Sequence, residues 1–288
     1  MIIVVCGPTA VGKTKMSVEL AKIYNGEIIN ADSTQVYRGM DIGTAKVTKS
    51  EMNGVKHHLL DIKDVTEMYT VYDYQKDARD KIKEIKANGH IPILVGGTGL
   101  YIKAALYNYD FTNIENLDYI DELDNEELIE KLSEEDKSVI DINNRRRLIS
   151  SVKSDLSSEV QIKDKDNILY DDVYFIGLTT DRELLYKRID ERFDNMLIPL
   201  VDEVKGFYKQ GVSSKALNTA IGYKELYEFF DDKKTFVEVV DECKQNSRNY
   251  AKRQYTWFNN QMDVKWFDVD FDNFQNTIDE VVNYIETN

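Results

Sequence analysis

Hydrophobic and polar positions along the chain fall into a repeating order of strand, turn and helix. Residues 2–6 (IIVVC) form an unbroken apolar run rich in β-branched side chains, the pattern of a strand buried on both faces. A glycine-rich turn follows, and then helical spacing from Lys13 to Tyr24. Glu27–Asn30 predicts a second strand, and residues 31–52 predict a polar, glycine-dotted loop of the kind that carries function. Helical periodicity over Tyr72–Asn88 stops at Gly89, and Ile91–Val95 (IPILV) predicts a buried parallel strand. Gly96-Gly97-Thr98-Gly99 then opens a helix that runs through Tyr107. Strands alternating with crossover helices predict an α/β fold with a parallel sheet flanked by helices.

The rhythm breaks near Tyr109. From there to about residue 166 the chain is acidic, polar and helix-prone, which predicts a small helical insertion domain over 109–169 inside a core built from 1–108 and 170–288. Val173–Leu178 restores a strand, and Asp181–Gln210 predicts a long amphipathic helix with Pro199 as a candidate break. Further helices are predicted over 222–230, 235–258 and 272–287, with a short strand at Val264–Phe267.

Composition narrows the class. At 288 residues the chain can hold one large domain or a core with an insert. No apolar run is long enough to span a bilayer, so no membrane partner is expected. The first strand has no basic leader before it, which makes the cytoplasm the expected location. Cys6 and Cys243 are the only cysteines, which excludes a CxxC site; both are expected to be reduced and buried. The net charge of −15 weighs against a polyanionic partner. Yet two stretches are basic and nearly free of acids, Asn143–Lys153 (NNRRRLISSVK) and Lys244–Arg253 (KQNSRNYAKR), while the acidic excess gathers in Asp118–Asp136. A field divided in this way can hold a polyanion locally.

The sharpest chemical signal lies in the first turn. Gly7–Thr14 (GPTAVGKT) matches GxxxxGK[ST] in full, between a strand and a helix. The backbone of Gly7, Thr9, Ala10, Val11 and Gly12 can aim successive N–H groups at one anion, and Lys13 adds a point charge. The Thr14 hydroxyl is placed to hold a Mg²⁺ that bridges phosphate oxygens. Nucleotide hydrolases usually add an apolar strand ending in Asp. Here Ile91–Val95 ends in Gly96-Gly97, and the only acid directly after a core strand is Asp32. Arg182, Arg188 and Arg192 share the long helix at spacings of six and four; Arg182, just after a strand, is the candidate phosphate ligand among them. His57 and His58 are adjacent, so on a strand they face opposite ways and suit an anchoring role better than a shared metal.

Several ordered motifs now carry a resemblance. Gly7–Thr14, Asp32-Ser33-Thr34-Gln35-Val36-Tyr37, Gly39–Lys46 (GMDIGTAK), His57–Asp61, Gly96–Tyr101, Ala220–Glu225 and Ala251-Lys252-Arg253-Gln254 together resemble tRNA dimethylallyltransferases, over residues 2 to about 267 and least over 109–170. The resemblance implies a P-loop NTPase-like fold and a magnesium-dependent enzyme, expected as a monomer. Its expected reaction moves the dimethylallyl group of dimethylallyl diphosphate to N6 of the adenosine just 3′ of the anticodon (tRNA position 37). The P-loop then holds the diphosphate leaving group.

Roles follow as expectations. An exocyclic adenine amine is a weak nucleophile, and a carboxylate that takes its proton helps the bond form; the family places its catalytic aspartate at Asp32, with a metal-organising carboxylate as the other reading. Thr98 resembles a residue that contacts the leaving group, against a plain helix cap, and Thr9 a diphosphate or channel residue. Ser33, Thr34 and Gln35 can hydrogen-bond an extruded base. Arg145, Arg146 and Arg147, in the insert, and Lys252, Arg253 and Gln254, in the late helix, are the candidate tRNA contacts. Two departures stand out: Thr219 replaces an arginine that often precedes the AIGY-type motif, and Ser150 replaces a second one. The competing readings are a P-loop small-molecule kinase and a non-catalytic RNA-binding relative.

Overall fold

Six strands assemble in the order β3-β2-β4-β1-β5-β6. They are β1 Ile2–Cys6, β2 Gly26–Asn30, β3 His57–His58, β4 Ile91–Val95, β5 Val173–Thr179 and β6 Lys265–Asp268, and every neighbouring pair is parallel. The computed structural model describes residues 1–108, 118–132, 137, 141–142, 144–156 and 167–288.

The central position of β1 explains its unbroken apolar run. It pairs with β4 on one side (Val5↔Val95) and β5 on the other (Val5↔Ile176), and helices cover both faces, so all five residues are buried. The apolar face of the helix Lys13–Ile23 supplies Met16, Val18, Leu20 and Ala21 to this core, and the C-terminal helix Phe274–Thr287 supplies Phe274, Ile278, Val281 and Ile285. Each of the larger of these side chains contributes about 1.5–3 kcal/mol when fully buried.

The register places the ends of β1, β2 and β4 at one edge, because Asn30 and Val5 both pair with Val95. The Gly7 turn, the Asp32 loop and the Gly96 turn therefore leave the sheet side by side. In open parallel sheets this carboxyl edge is where ligands bind.

Two details depart from the sequence expectation. Strand β3 is only two residues long, too short for periodicity to reveal. It is held by pairing with β2 and by the buried His58, whose Nε2 lies 2.6 Å from Glu27. His57 Nδ1 lies 2.9 Å from the Val55 carbonyl, so both imidazoles have protein partners. The long helix Arg182–Lys209 runs through Pro199 without a break. Pro199 sits on the exposed face while Leu200 packs inside, so the lost N–H faces water and packing along 28 residues holds the helix together.

Contacts divide the chain into two compact units, residues 1–106 with 170–288, and residues 107–169. The second contains the helices Asn125–Glu130 and Arg145–Leu156 and has its own core of Ile120, Leu128, Leu132, Leu148 and Val152. Among the described residues its two ends meet through a bridge between Tyr107 and Ile168. Cys6 and Cys243 are buried free thiols. Among the described residues no helix is long and apolar enough to cross a membrane.

Candidate active site

The turn after β1 is shaped by glycine where no other residue fits. Gly7 has φ +129°, and a Cβ there would lie 2.5 Å from the Leu178 carbonyl oxygen. Gly12 has φ +93° and is overlaid by the Phe274 ring. The turn leaves the N–H groups of Ala10, Val11, Gly12, Lys13 and Thr14 without a hydrogen-bond partner among the described residues. Five unpartnered donors at a helix N-terminus make an anion cradle. Lys13 Nζ donates to the carbonyls of Gly7 (3.0 Å) and Pro8 (2.6 Å), which keeps the ammonium folded over the turn with one proton to spare.

Two arginines join it. Arg188 Nε donates to the Ala10 carbonyl at 3.1 Å and its guanidinium stacks 3.6 Å above the Phe271 ring. Arg192 Nη1 donates to Thr9 Oγ1 at 3.3 Å. No carboxylate forms a salt bridge with Lys13, Arg188 or Arg192 among the described residues. Three unpaired cations around one turn, in a chain of net charge −15, carry a strong local bias toward an anion. Burial lowers Lys13 to about 8, Arg192 pushes the same way, and Asp32 and Cys6 oppose them. Burial also lowers Arg192, with Glu51 and Asp32 opposing. In return, burial raises the Cys6 thiol to about 12 despite the neighbouring Lys13, so Cys6 stays protonated and inert.

Asp32 faces this cluster from the end of β2. Its Oδ1 accepts from the Thr34 N–H (2.9 Å) and the Thr34 hydroxyl (2.7 Å), while Oδ2 makes no hydrogen bond among the described residues. One oxygen fixes the turn and the other is available to a substrate proton. The turn is buttressed by the buried Asn30, whose amide donates to the carbonyls of Asp32 and Leu59, both at 3.1 Å, and accepts from the Asp32 N–H. The Ser33 N–H donates to Thr98 Oγ1 at 3.1 Å, tying the β2 loop to the Gly96 turn. Gln35 Nε2 donates to the Thr44 carbonyl.

A glutamine from the late helix Phe236–Gln261 sets the spacing of the two glycine turns. Gln254 Oε1 accepts from the Thr9 N–H and Nε2 donates to the Gly97 carbonyl, both at 3.0 Å. Gln254, expected among the tRNA contacts, is buried, because it is the inward-facing position of its helical turn. Gln254→Leu keeps the volume but strands a buried carbonyl and a part-buried N–H, and is expected to lower unfolding free energy in urea by about 2–4 kcal/mol. One turn earlier Tyr250 is half-buried, and burial, then the charge of Asp32, raise its phenol well above the ordinary range, with Thr98, Arg253 and Gln254 opposing.

The other sequence candidates divide as follows. Arg182 is exposed and its Nε donates to the Tyr186 hydroxyl at 3.2 Å, with no contact to the Gly7–Thr14 turn among its hydrogen bonds. Arg188 and Arg192, four apart, share a helix face, and six residues put Arg182 roughly 120° away from Arg188. Arg145 spends its guanidinium inside the small unit on Asn125 and on the carbonyls of Asp121 and Leu123. Arg147 is exposed, and the side chain of Arg146 lies outside the described residues. In the second basic stretch Lys244 is neutralised by Asp194 and Arg248 by Asp190, which leaves Lys252 and Arg253 as its exposed cations. The Thr14 hydroxyl is half-buried and makes no hydrogen bond among the described residues, as suits one ligand of a hard cation. No group of three or more His, Cys, Asp or Glu is placed to hold a metal among the described residues. Any Mg²⁺ here would draw most of its ligands from phosphate oxygens and water, its common habit.

Sequence reasoning missed Asn30, Tyr250 and the roles of Arg188 and Arg192. The place of Gln254 in its helix is visible in the sequence, but nothing in it says which turns the side chain reaches.

Comparison with known proteins places this site among relatives. A family model described as IPP transferase matches residues 35–261. The chain is 46% identical over 298 residues to a tRNA dimethylallyltransferase of Anoxybacillus flavithermus, covering 99% of this chain and 96% of that protein. It is 47% identical to one from Bacillus cereus, covering 92% and 89%. Among solved structures, a tRNA isopentenylpyrophosphate transferase from Staphylococcus epidermidis superposes with a TM-score of 0.76 at 40% identity, covering 99% of this chain and 98% of that one. A eukaryotic dimethylallyltransferase acting on tRNA gives a TM-score of 0.81 at 28% identity, covering 98% and 77%.

Proposed function

The chain belongs to the IPP transferase family, and from that premise we propose how its residues carry out tRNA dimethylallyl transfer. The observation that carries the assignment is the set of three cations without carboxylate partners, Lys13, Arg188 and Arg192, around five free N–H groups. Such a set holds the diphosphate of dimethylallyl diphosphate. It also stabilises the negative charge that grows on the leaving oxygen as the allylic C–O bond breaks. Mg²⁺, held by Thr14 together with phosphate oxygens, would add to that neutralisation.

The acceptor is N6 of the adenosine just 3′ of the anticodon. Its lone pair forms the new N–C bond to the allylic carbon, the electrons of the C–O bond leave on the diphosphate, and Oδ2 of Asp32 takes the N6 proton. Thr98 meets the leaving oxygen as a hydrogen-bond donor. Ser33 and Gln35 line the loop where an extruded base can be read, and an unpaired anticodon loop makes that extrusion cheap. Lys252 and Arg253 contact tRNA phosphates from the late helix, and the exposed Arg147 does so from the small unit. So few phosphate contacts predict a shallow fall of RNA affinity with rising salt.

The test incubates the protein with an anticodon stem-loop, dimethylallyl diphosphate and magnesium, followed by mass spectrometry of the nucleosides. One N6-dimethylallyladenosine per diphosphate released is the expected result. Folded protein that binds the RNA yet forms no product would overturn the reading. So would phosphoryl transfer from ATP to a small acceptor with no need for an allylic diphosphate.

A further inference from the structure

One carboxylate holds the turn at residues 41–43. Glu203, half-buried on the long helix Arg182–Lys209, accepts with Oε2 from the N–H groups of Asp41 (2.9 Å) and Ile42 (2.8 Å). Its Oε1 accepts from the Gly43 N–H (3.2 Å) and from the Tyr223 hydroxyl. A Cβ on Gly43 would run into the Tyr223 ring and Leu200, so the backbone lies close against both. Within the loop, Lys46 Nζ gathers the Tyr37 carbonyl (2.7 Å) and the carboxylates of Asp41 and Asp61 (both 2.6 Å). The loop is thus braced in itself, and Glu203 fixes it to the helix. None of these bonds involves the Gly7–Thr14 turn or Asp32.

Their consequence falls on Gln35. Next after Gly43 comes Thr44, whose carbonyl accepts from Gln35 Nε2 at 3.1 Å. A carbonyl can face only the NH2 end of an amide, so this bond decides which way round Gln35 sits. Its Oε1 makes no hydrogen bond among the described residues and is the end left to a ligand. An oxygen there accepts the N6–H of adenine, whereas guanine offers O6, a second acceptor, and is repelled. Without the tether the amide can turn over and present its NH2 to O6.

We propose that Glu203 is a positioning residue for base selectivity: by holding Gly43 it keeps the Thr44 carbonyl against the Gln35 amide and so fixes Gln35 as an acceptor. This rests on the reading of Gln35 as a contact to the extruded adenosine. The carboxylate is required, and not merely its shape. An amide at position 203 retains one oxygen for Asp41 and Ile42, but its NH2 then meets the Gly43 N–H donor to donor, and that bond is lost.

Glu203→Gln, Gln35→Ala and the double variant test this with two anticodon stem-loops, one carrying adenosine and one guanosine just 3′ of the anticodon. Their Kd values are compared for each protein. Glu203→Gln is expected to lower the preference for the adenosine stem-loop about tenfold, and Gln35→Ala to lower it as far. In the Gln35→Ala background, Glu203→Gln is expected to cost less than about a further twofold in preference. Magnesium-diphosphate affinity is expected to change by less than about twofold throughout. Gly43→Ala, which drives the same backbone off the Tyr223 ring, is expected to reproduce the loss with Glu203 intact, and it takes the place of Glu203→Gln if that variant does not fold. Equal weakening of both stem-loops, as from a brace that only stabilises the fold, would overturn the proposal. So would an unchanged preference in folded Glu203→Gln, or multiplying losses in the double variant. Gln35→Ala at full preference would sink the base-contact reading of Gln35, and the proposal with it, while leaving the transferase assignment standing.

Discussion

Asp32→Asn is expected to slow prenyl transfer about 10³-fold in single turnover, within the range of a lost general base, while magnesium-diphosphate affinity changes less than about threefold. The asparagine is the informative variant because of how the two oxygens divide their work. Oδ1 holds the turn by accepting from the N–H and hydroxyl of Thr34, and an amide oxygen at that position still accepts both. The substitution therefore leaves the loop in place and removes only the basic oxygen that faces the site. Equilibrium binding of inorganic diphosphate with magnesium, measured by calorimetry beside the rate, separates the two readings of this residue. A fall in affinity as large as the fall in rate would make Asp32 an organiser of the metal rather than the base.

Much of the frame was legible because it repeats a local rule. The buried strands β1 and β4 appear as β-branched apolar runs, the helices as periodic ones, and the Gly7–Thr14 turn as a pattern whose spacing has one physical purpose. What could not be read was direction. Arg182, Arg188 and Arg192 are chemically alike, and only the rotation of a helix seated on the sheet decides that the last two reach the turn. Gln254 sits among Lys252 and Arg253 and looks like part of a charged face, yet it is the buried position of that turn. The basic stretch Lys244–Arg253 is half cancelled by Asp190 and Asp194, acids more than fifty positions away in sequence or close to it. Long-range pairing of this sort leaves no local signature. Asp32 has two readings in the sequence, a base and an organiser of the metal, and no local pattern says that one of its oxygens is spent on Thr34 while the other makes no hydrogen bond among the described residues.

Lys13→Met is expected to lower kcat/KM for dimethylallyl diphosphate about 10³-fold, with KM raised as well as kcat lowered. Lys13 differs from Arg188 and Arg192 in its tether to the Gly7 and Pro8 carbonyls, which holds its charge over the turn before any substrate arrives. The same residue gives the site a pH signature. With its pKa lowered to about 8 in the free site, chiefly by burial, Lys13 is only part-protonated at that pH. A bound diphosphate favours the ammonium, so binding draws in a proton, and affinity falls as pH rises through this region. Calorimetry in two buffers of different ionisation enthalpy detects the uptake, and Lys13→Met should abolish it. The sign for stability runs the other way. Between the folded value near 8 and the ordinary value near 10.5 the unfolded chain binds more protons, so the cost of holding Lys13 charged in its site is relieved as pH rises through that window. Substrate and fold thus pull this one ammonium in opposite directions. A site built only to stabilise the protein would have neutralised it with a carboxylate; here the three cations share none, and the missing charge is the one a diphosphate brings.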